Sequence, residues 1–452
     1  MTFFLTAEQI KNFFSRFIML YYSLNKNTPT VNFREATIQG QAPDKGLYFP
    51  EKFATLPAGW INDISDYTNE EIAYEVIAPY VGDTIPGPVL KEIISETIDF
   101  KFPLHPVTRK IFSLELFHGP TLAFKDVGAR FMARCLGFFL RDGKHQTTVL
   151  VATSGDTGGA VADGFYDVEG IRVVILYPAG KISEIQELQI TTHGKNIHAI
   201  AVDGTFDDCQ KLVKQAFTDA DLAKKITLTS ANSINVARWL PQQFFYFFAW
   251  KYWADKKNPP VISVPSGNYG NICAGILSML SGLPYKHFIA ACNSNDVLTD
   301  YFKSGVYSPK PSVATISNAM DVGDPSNLKR VIELFGNNIG RFKKHVSSFC
   351  CTEEMTKEAI SRVHREFNYV LDPHGAVGFL GLENYLNEHP GDQGIFLETA
   401  HPVKFPEVVE AVIQQKVLLP AGLDGIVGRK KMMIRMGVDY SAFSEYLLFL
   451  SK

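Results

Sequence analysis

The sequence predicts an α/β protein built on two doubly wound, mostly parallel sheets that follow an N-terminal region. Three observations lead there. From about residue 104 onward, short β-rich runs alternate with amphipathic helical stretches. The strand candidates are almost continuous β-branched apolar runs, the pattern of parallel strands buried on both faces. The chain has 452 residues, 46% of them hydrophobic and 20% charged, which is material for more than one core and not the composition of a disordered chain.

The elements follow in order. Residues 1–18 place Ile10, Phe13, Phe14, Phe17 and Ile18 at helical spacing behind the capping pair Thr6-x-x-Gln9. They lack the basic start, continuous apolar core and small-residue cleavage site of a secretory signal. An amphipathic targeting or membrane-surface helix is the weaker alternative, and a docked surface helix, or a segment upstream of a start at Met19, is expected. Residues 110–116 (KIFSLEL) read as a strand and 124–140 as a helix; 147–153 (TTVLVAT) read as a strand that enters a Gly-rich turn and a helix over 158–165. Residues 171–177 (IRVVILY) repeat the pattern, and the capping box Ser183-x-x-Gln186 opens a helix that stops near His193-Gly194. Residues 197–202 and 261–264 supply two more strands, each leading into a helix. Phe244, Phe245, Phe247, Phe248 and Trp250 read as core packing. The polar connector 251–260 and the stretches 309–311 and 321–327 read as loops. The expected division is an extension over 1–18, an N-terminal region over 19–100, a large unit from 101–125 and 231–430, and a smaller α/β unit over 126–230.

Charge excludes some functions. Lys plus Arg number 44 against 47 for Asp plus Glu, a formal net charge of -3, which argues against a nucleic-acid partner or a polybasic membrane patch. The most apolar stretch, 244–253, is too short for a membrane span and is interrupted by Lys251. Cys135, Cys209, Cys273, Cys292, Cys350 and Cys351 form no C-x-x-C pair, so reduced, mostly buried thiols in a cytoplasmic protein are expected. No His/Cys/carboxylate spacing suggests a metal site.

Ligands of open α/β sheets bind where strands end and helices begin. Three such junctions are rich in Gly and small polar residues. In His118-Gly-Pro-Thr-Leu-Ala-Phe-Lys-Asp126, Lys125 stands at a helix start, where the dipole disfavours a cation. Between Phe124 and Val127 it could be an amine of lowered pKa and a nucleophile, or an ordinary surface lysine. Thr153-Ser-Gly-Asp-Thr-Gly-Gly159 suits an anion held by backbone N–H groups, or is a structural turn. It matches neither dinucleotide nor nucleoside-triphosphate loops. Ser266-Gly-Asn-Tyr-Gly-Asn271 follows a strand and offers a neutral, donor-rich seat for a phosphate. A candidate Schiff-base lysine with two anion-binding turns describes a pyridoxal-phosphate enzyme.

Further landmarks stand in order along the chain: Leu47-Tyr-Phe-Pro50, Ala152-Thr-Ser-Gly-Asp-Thr-Gly158, Tyr177-Pro-Ala-Gly-Lys-Ile-Ser183, Ala231-Asn-Ser-Ile-Asn235, Val264-Pro-Ser-Gly-Asn-Tyr-Gly270, Ser317-Asn-Ala-Met-Asp-Val322 and Thr399-Ala-His-Pro402. With the Lys125 segment they resemble the threonine synthase family, within the tryptophan synthase β-like (fold-type II) pyridoxal-phosphate enzymes, from Met19 to about Ala411.

The resemblance implies roles residue by residue. Lys125 would carry pyridoxal 5'-phosphate and shuttle protons. Gly267, Asn268, Tyr269, Gly270 and Asn271 would hold the cofactor phosphate, with Tyr269 where relatives usually show Phe. Thr399 would partner the pyridine nitrogen, a hydroxyl that tempers electron withdrawal. Ser154, Gly155, Asp156 and Thr157 match the loop that clasps the substrate carboxylate, and Asp156 replaces the Asn of relatives acting on other amino acids. Asn232, Ser233 and Arg238 match residues that bind the substrate's leaving phosphate, and Lys181 is a weaker candidate for the same task. The implied reaction turns O-phospho-L-homoserine and water into L-threonine and phosphate, in a monomer or homodimer. His118, His374 and His401 are expected in structural hydrogen bonds. Two rival readings are a phospholyase that releases a keto acid, ammonia and phosphate, and a catalytically silent interaction protein.

Overall fold

The computed structural model describes residues 19–141, 146–420, 423 and 425–451. The helix expected over 1–18, with Thr6 and Gln9, lies outside them. A short antiparallel ribbon opens the described chain, β1 (Tyr21–Ser23) against β2 (Tyr48–Pro50). The helices Phe33–Gln39, Asn69–Val81 and Gly87–Thr97 complete this N-terminal region; the first two start at capping boxes on Asn32 and Thr68.

Two sheets carry the rest. The larger runs in the order β11 (Val346–Cys350), β10 (His287–Cys292), β9 (Val261–Pro265), β12 (Gly394–Glu398), β4 (Ile111–Glu115) and β3 (Leu104–Pro106). All its pairs are parallel except β3 with β4. The smaller runs β13 (Met433–Met436), β7 (Ile197–Val202), β6 (Ile171–Pro178), β5 (Thr147–Ala152) and β8 (Thr227–Ser230), parallel throughout. The continuous apolar runs behave as expected: every residue of β5, β9 and β12 is buried, because helices cover both faces.

Helix starts are equally local in origin. Ser183 Oγ accepts from the Gln186 amide while Gln186 Oε1 accepts from the Ser183 amide, so the predicted capping box opens the helix Glu184–Thr191. The helix expected over 158–165 begins earlier, at Asp156, because Gly155 takes a φ of +132° and turns the chain at once. That shift puts Asp156 and Thr157 in the first helical turn. The helix Gln243–Tyr252 buries Phe244, Phe245, Phe247 and Phe248 completely and Trp250 almost so, as core packing. Each such ring stabilises the fold by about 1.5–3 kcal/mol relative to exposure.

The sequence reading named five strands and stopped its units at 430. The structure adds β10, β12 and others, and it brings β13 and the helix Tyr440–Leu450 onto the smaller sheet, where Phe443 and Leu447 pack with Leu212 and Ile200. In both sheets the strand order reverses beside the strand that leads into a Gly-rich turn: β5 in the smaller and β9 in the larger. The carboxyl ends of β4, β9, β12, β5 and β8 converge there.

Candidate active site

Lys125 begins the helix Lys125–Leu140, and Thr399 directly follows β12. A two-rung bridge joins them. The Phe124 amide donates to the Thr399 carbonyl (2.9 Å), Ala123 pairs with Ala400, and the His401 amide donates to the Leu122 carbonyl (3.0 Å). Leu122 takes a φ of +58° to make the turn. Amine and hydroxyl are thus fixed on one rigid frame, and both line a single cleft.

The Lys125 side chain is 16% exposed, toward that cleft, and its Nζ lies 3.3 Å from Asp156 Oδ2. Asp156 Oδ1 accepts from Lys404 Nζ and from Gln186 Nε2, both at 2.9 Å. Burial lowers the pKa of Lys125; Asp156 opposes the shift, and Lys404 adds to it. Burial alone would raise the Asp156 carboxyl, but Lys404 and Lys125 together hold it well below the usual carboxylate range. Of the residues matched to a carboxylate-clasping loop, Ser154 and Thr157 line the cleft beside it. Gly155 lies beneath: a Cβ there would stand 2.4 Å from the Gln186 side chain. Asp156 itself has both oxygens taken by protein donors.

The turn after β9 is built without charge. Asn268 Nδ2 donates to Ser233 Oγ (2.7 Å) and its Oδ1 accepts from the Ser326 amide (2.7 Å). Asn271 Nδ2 donates to the Pro265 carbonyl (2.7 Å), and Ser266 Oγ to the Val264 carbonyl (2.8 Å). The asparagine side chains therefore brace the loop, and Asn271 Oδ1 also accepts from the Ile272 amide (2.9 Å), so the amides left to a ligand are those of the first helical residues, Gly270 and Asn271. Tyr269 turns its backbone, not its ring, toward this turn. Its φ is +58°, and its ring is buried with the hydroxyl 3.2 Å from Cys292 Sγ. Gly267 is required by space, since a Cβ would lie 2.6 Å from Met320 Cα.

Beyond β8 lies a contrasting cluster. Arg238 lines the cleft yet is only 3% exposed, and its Nε and Nη1 have no hydrogen-bond partner. Burial pulls its pKa down to about 10. Ser233 Oγ accepts from Asn268 Nδ2 and from Asn327 Nδ2 (3.0 Å), which leaves its own proton to donate into the cleft. Asn232 Nδ2 donates to the Ala152 carbonyl (3.0 Å) and braces the turn after β5. Behind them Arg330, fully buried, donates to the carbonyls of Ser233, Ile234 and Tyr48 and lies over the Trp239 ring. Sequence reasoning missed Arg330, because apart from Asn327 Oδ1 (2.7 Å) its partners are backbone carbonyls that no residue pattern marks.

Other predicted residues are dispersed. Lys181 is exposed and does not line the cleft. His118 pairs with Glu115 (2.7 Å). Burial lowers His401 to about 4, and its Nδ1 accepts from the Val403 amide. His374, outside every motif quoted above, is the histidine in the cleft wall. Its Nε2 accepts from the Ala319 amide (3.2 Å), so Nδ1 carries the proton toward Asp372 (2.6 Å). The readable signal was Asp372-Pro373-His374, a capped helix start with Pro at its first position. A recess of about 430 Å³ adjoins the cleft and shares Phe206, Gln210 and Val322 with it. Among the described residues, no group of three or more His, Cys, Asp or Glu could hold a metal ion. No helix among them is long and apolar enough to cross a membrane.

The cleft fits pyridoxal phosphate. One amine of lowered pKa, one charge-free amide turn for a phosphate and one hydroxyl, Thr399, meet in it, and Gly267 leaves no room for a side chain to fill the turn.

Three family models match the chain: "Pyridoxal-phosphate dependent enzyme" over residues 103–397, "Threonine synthase N terminus" over 20–98 and "Threonine synthase, C-terminal" over 375–447. The threonine synthase of Serratia marcescens is 43% identical, covering 90% of this chain and 93% of its own. The crystal structure of threonine synthase from Escherichia coli superimposes with a TM-score of 0.89 at 40% identity, covering 96% and 100% of the two chains. The pyridoxal-phosphate-bound threonine synthase from Brucella melitensis gives 0.88 at 32% identity, again covering 96% and 100%.

Proposed function

The chain belongs to the threonine synthase family of pyridoxal-phosphate-dependent enzymes, and on that premise we propose that it converts O-phospho-L-homoserine and water into L-threonine and inorganic phosphate. The observation that carries the substrate is Arg238: a buried guanidinium with two unpartnered nitrogens, in the same cleft as a reactive amine and a separate neutral phosphate seat. Two phosphates of different fate suit two such sites. The permanent one is met by amide dipoles, and the departing one by a planar cation that strengthens its grip as charge builds on the leaving oxygen.

When bound, the cofactor supplies the electron sink for charge developing beside the substrate's amino group. The protein's residues do the rest. Lys125 would hold the cofactor and, once the substrate's amine has replaced it, take the Cα proton; Asp156 stands ready to receive its ammonium. Arg238 and the Ser233 hydroxyl would bind the Cγ phosphate through its departure. Ser154 and Thr157 would orient the substrate carboxylate, and the fixed charge of Asp156 lies turned toward lysines instead of toward that carboxylate. Thr399 would orient the ring nitrogen without adding a charge. Closure of the smaller unit, residues 126–230, over the larger would exclude water from Cβ until phosphate has left. Six free thiols, five of them buried, support a cytoplasmic setting.

The test incubates purified holoprotein with O-phospho-L-homoserine and follows phosphate, threonine, ammonia and keto acid together. Equal phosphate and threonine are expected. Ammonia and keto acid without threonine would establish the phospholyase reading, and bound cofactor with no phosphate release would reject both.

A further inference from the structure

Lys404 is absent from every motif read in the sequence, and it is fully buried. It ends a short turn of helix, Pro402–Lys404, between the buried residues Val403 and Phe405, and its Nζ donates to the Thr121 carbonyl (2.8 Å) and pairs with Asp156 Oδ1 (2.9 Å). A buried ammonium is costly unless paired, so its place beside Asp156 needs a reason. The proposed function makes one available, and the inference rests on it. A lysine nitrogen bonded covalently to a cofactor cannot also be the ammonium partner of Asp156. Were Lys125 the only cation, Asp156 would be left buried and uncompensated in every state in which Lys125 is engaged.

We propose that Lys404 is a positioning residue for the reaction: it anchors Asp156 by one carboxylate oxygen and so keeps the other as a charged dock for the Lys125 amine. Asp156 is then paired in all states, and Lys125 returns to the same place each time it is released. The same arrangement tunes the amine. Lys125 is faced by Asp156 from the helix Asp156–Gly164, by Lys404 from its short helix and by Arg238 from the helix Val236–Trp239. Asp156 is faced in addition by His374 from the helix Pro373–Glu388 and by the neutral amide of Gln186, and Lys404 is faced by Asp126 from the helix Lys125–Leu140 and by His401. Removing the Lys404 charge leaves the Asp156 carboxylate less compensated, so Lys125 binds its proton more tightly.

The experiment uses full-length holoprotein and four variants: Lys404→Met, Lys404→Gln, Lys404→Arg and Asp156→Asn. Two readouts are taken: the pH midpoint of the bound cofactor's visible band, and the rate at which stripped protein regains that band with pyridoxal phosphate at neutral pH. Met and Gln should each move the midpoint upward by about one pH unit, a tenfold gain in proton affinity, and slow reconstitution about tenfold. Arg, which keeps the charge, should stay close to wild type, and Asp156→Asn should move the midpoint downward. Gln keeps a hydrogen-bond donor without charge, so it separates electrostatics from bridging. A wild-type midpoint in Lys404→Gln, an upward shift in Lys404→Arg equal to that in Met, or an upward shift in Asp156→Asn would each overturn the proposal. Should Met and Gln fail to fold, the Arg and Asn variants decide it. If borohydride fixes no cofactor on Lys125 of the wild type, the functional reading itself fails, which is a different result.

Discussion

The turn after β5 and the turn after β9 are built on one plan with opposite electrostatics. Each follows a fully buried parallel strand and opens a helix, the first turning on Gly155 (φ +132°) and the second on Tyr269 (φ +58°). At the first, Asp156 occupies the helix N-terminus, where the dipole favours an anion, and two lysines close over it. At the second, no side chain carries charge and the asparagines face inward. A helix start is an anion site in both cases. One turn carries its own anion as a side chain; in the function proposed above, the other would leave that place to a guest's phosphate. The pattern of Gly and hydroxyl residues is the same, so the fate of each turn is decided by the one residue that fills it or leaves it open.

The comparison can be broken at several points. Lys125→Ala removes the amine between the turns, and turnover should fall about 10²–10⁴-fold with loss of the covalent visible band. Retained turnover would dissolve the site. Asp156→Asn leaves Lys404 buried without its counter-charge and should cost about 3–5 kcal/mol near pH 7 in urea melts. The carboxyl is depressed in the fold, so its stabilisation is present above its unfolded pKa and is lost as pH falls. The difference between wild type and variant should therefore shrink below about pH 4. A difference that stayed flat with pH would mean that Asp156 packs but does not pair. Arg238→Gln should lower kcat/KM for O-phospho-L-homoserine about 10- to 150-fold, the range of a charged hydrogen bond, with cofactor content unchanged.

Smaller effects sharpen the contrast. Gly267→Ala drives a Cβ toward Met320 backbone and should cost about 1–3 kcal/mol, together with cofactor affinity. Tyr269→Phe removes a single buried hydroxyl contact to Cys292 and should change stability by no more than about 1.5 kcal/mol, with the visible band intact. A lost band would show that the side chain, and not the backbone, holds the phosphate.

How much of this was legible follows from range. β5, β6, β7 and β9 announce themselves through runs of buried β-branched residues, and the Ser183 helix start through its capping box, because these signals are complete within a few residues. β12 (GIFLE), which opens on a glycine and holds a single β-branched residue, and β13, half exposed, carry too little pattern to stand out. Lys125, Thr399 and the β9 turn were readable from their motifs. Lys404 and Arg330 were not, since each acts on partners far away in the chain: Lys404 on Asp156 and Arg330 on Tyr48. A single lysine after a proline carries no local mark of a partner on another sheet.

The position of β13 bears on how the molecule is made. It lies beside β7, with Met433 against Ala199, so the edge of the smaller sheet waits for a strand synthesised more than two hundred residues later. Until then β7 is an open edge, with unpaired backbone groups and the apolar surface that Phe443 and Leu447 will cover. Pairing across such a separation is slow, because the loop must close before the contacts form. The nascent smaller sheet therefore completes its cleft-facing strands, β5 and β8, early and seals its far edge late, and in that interval it is most exposed to aggregation.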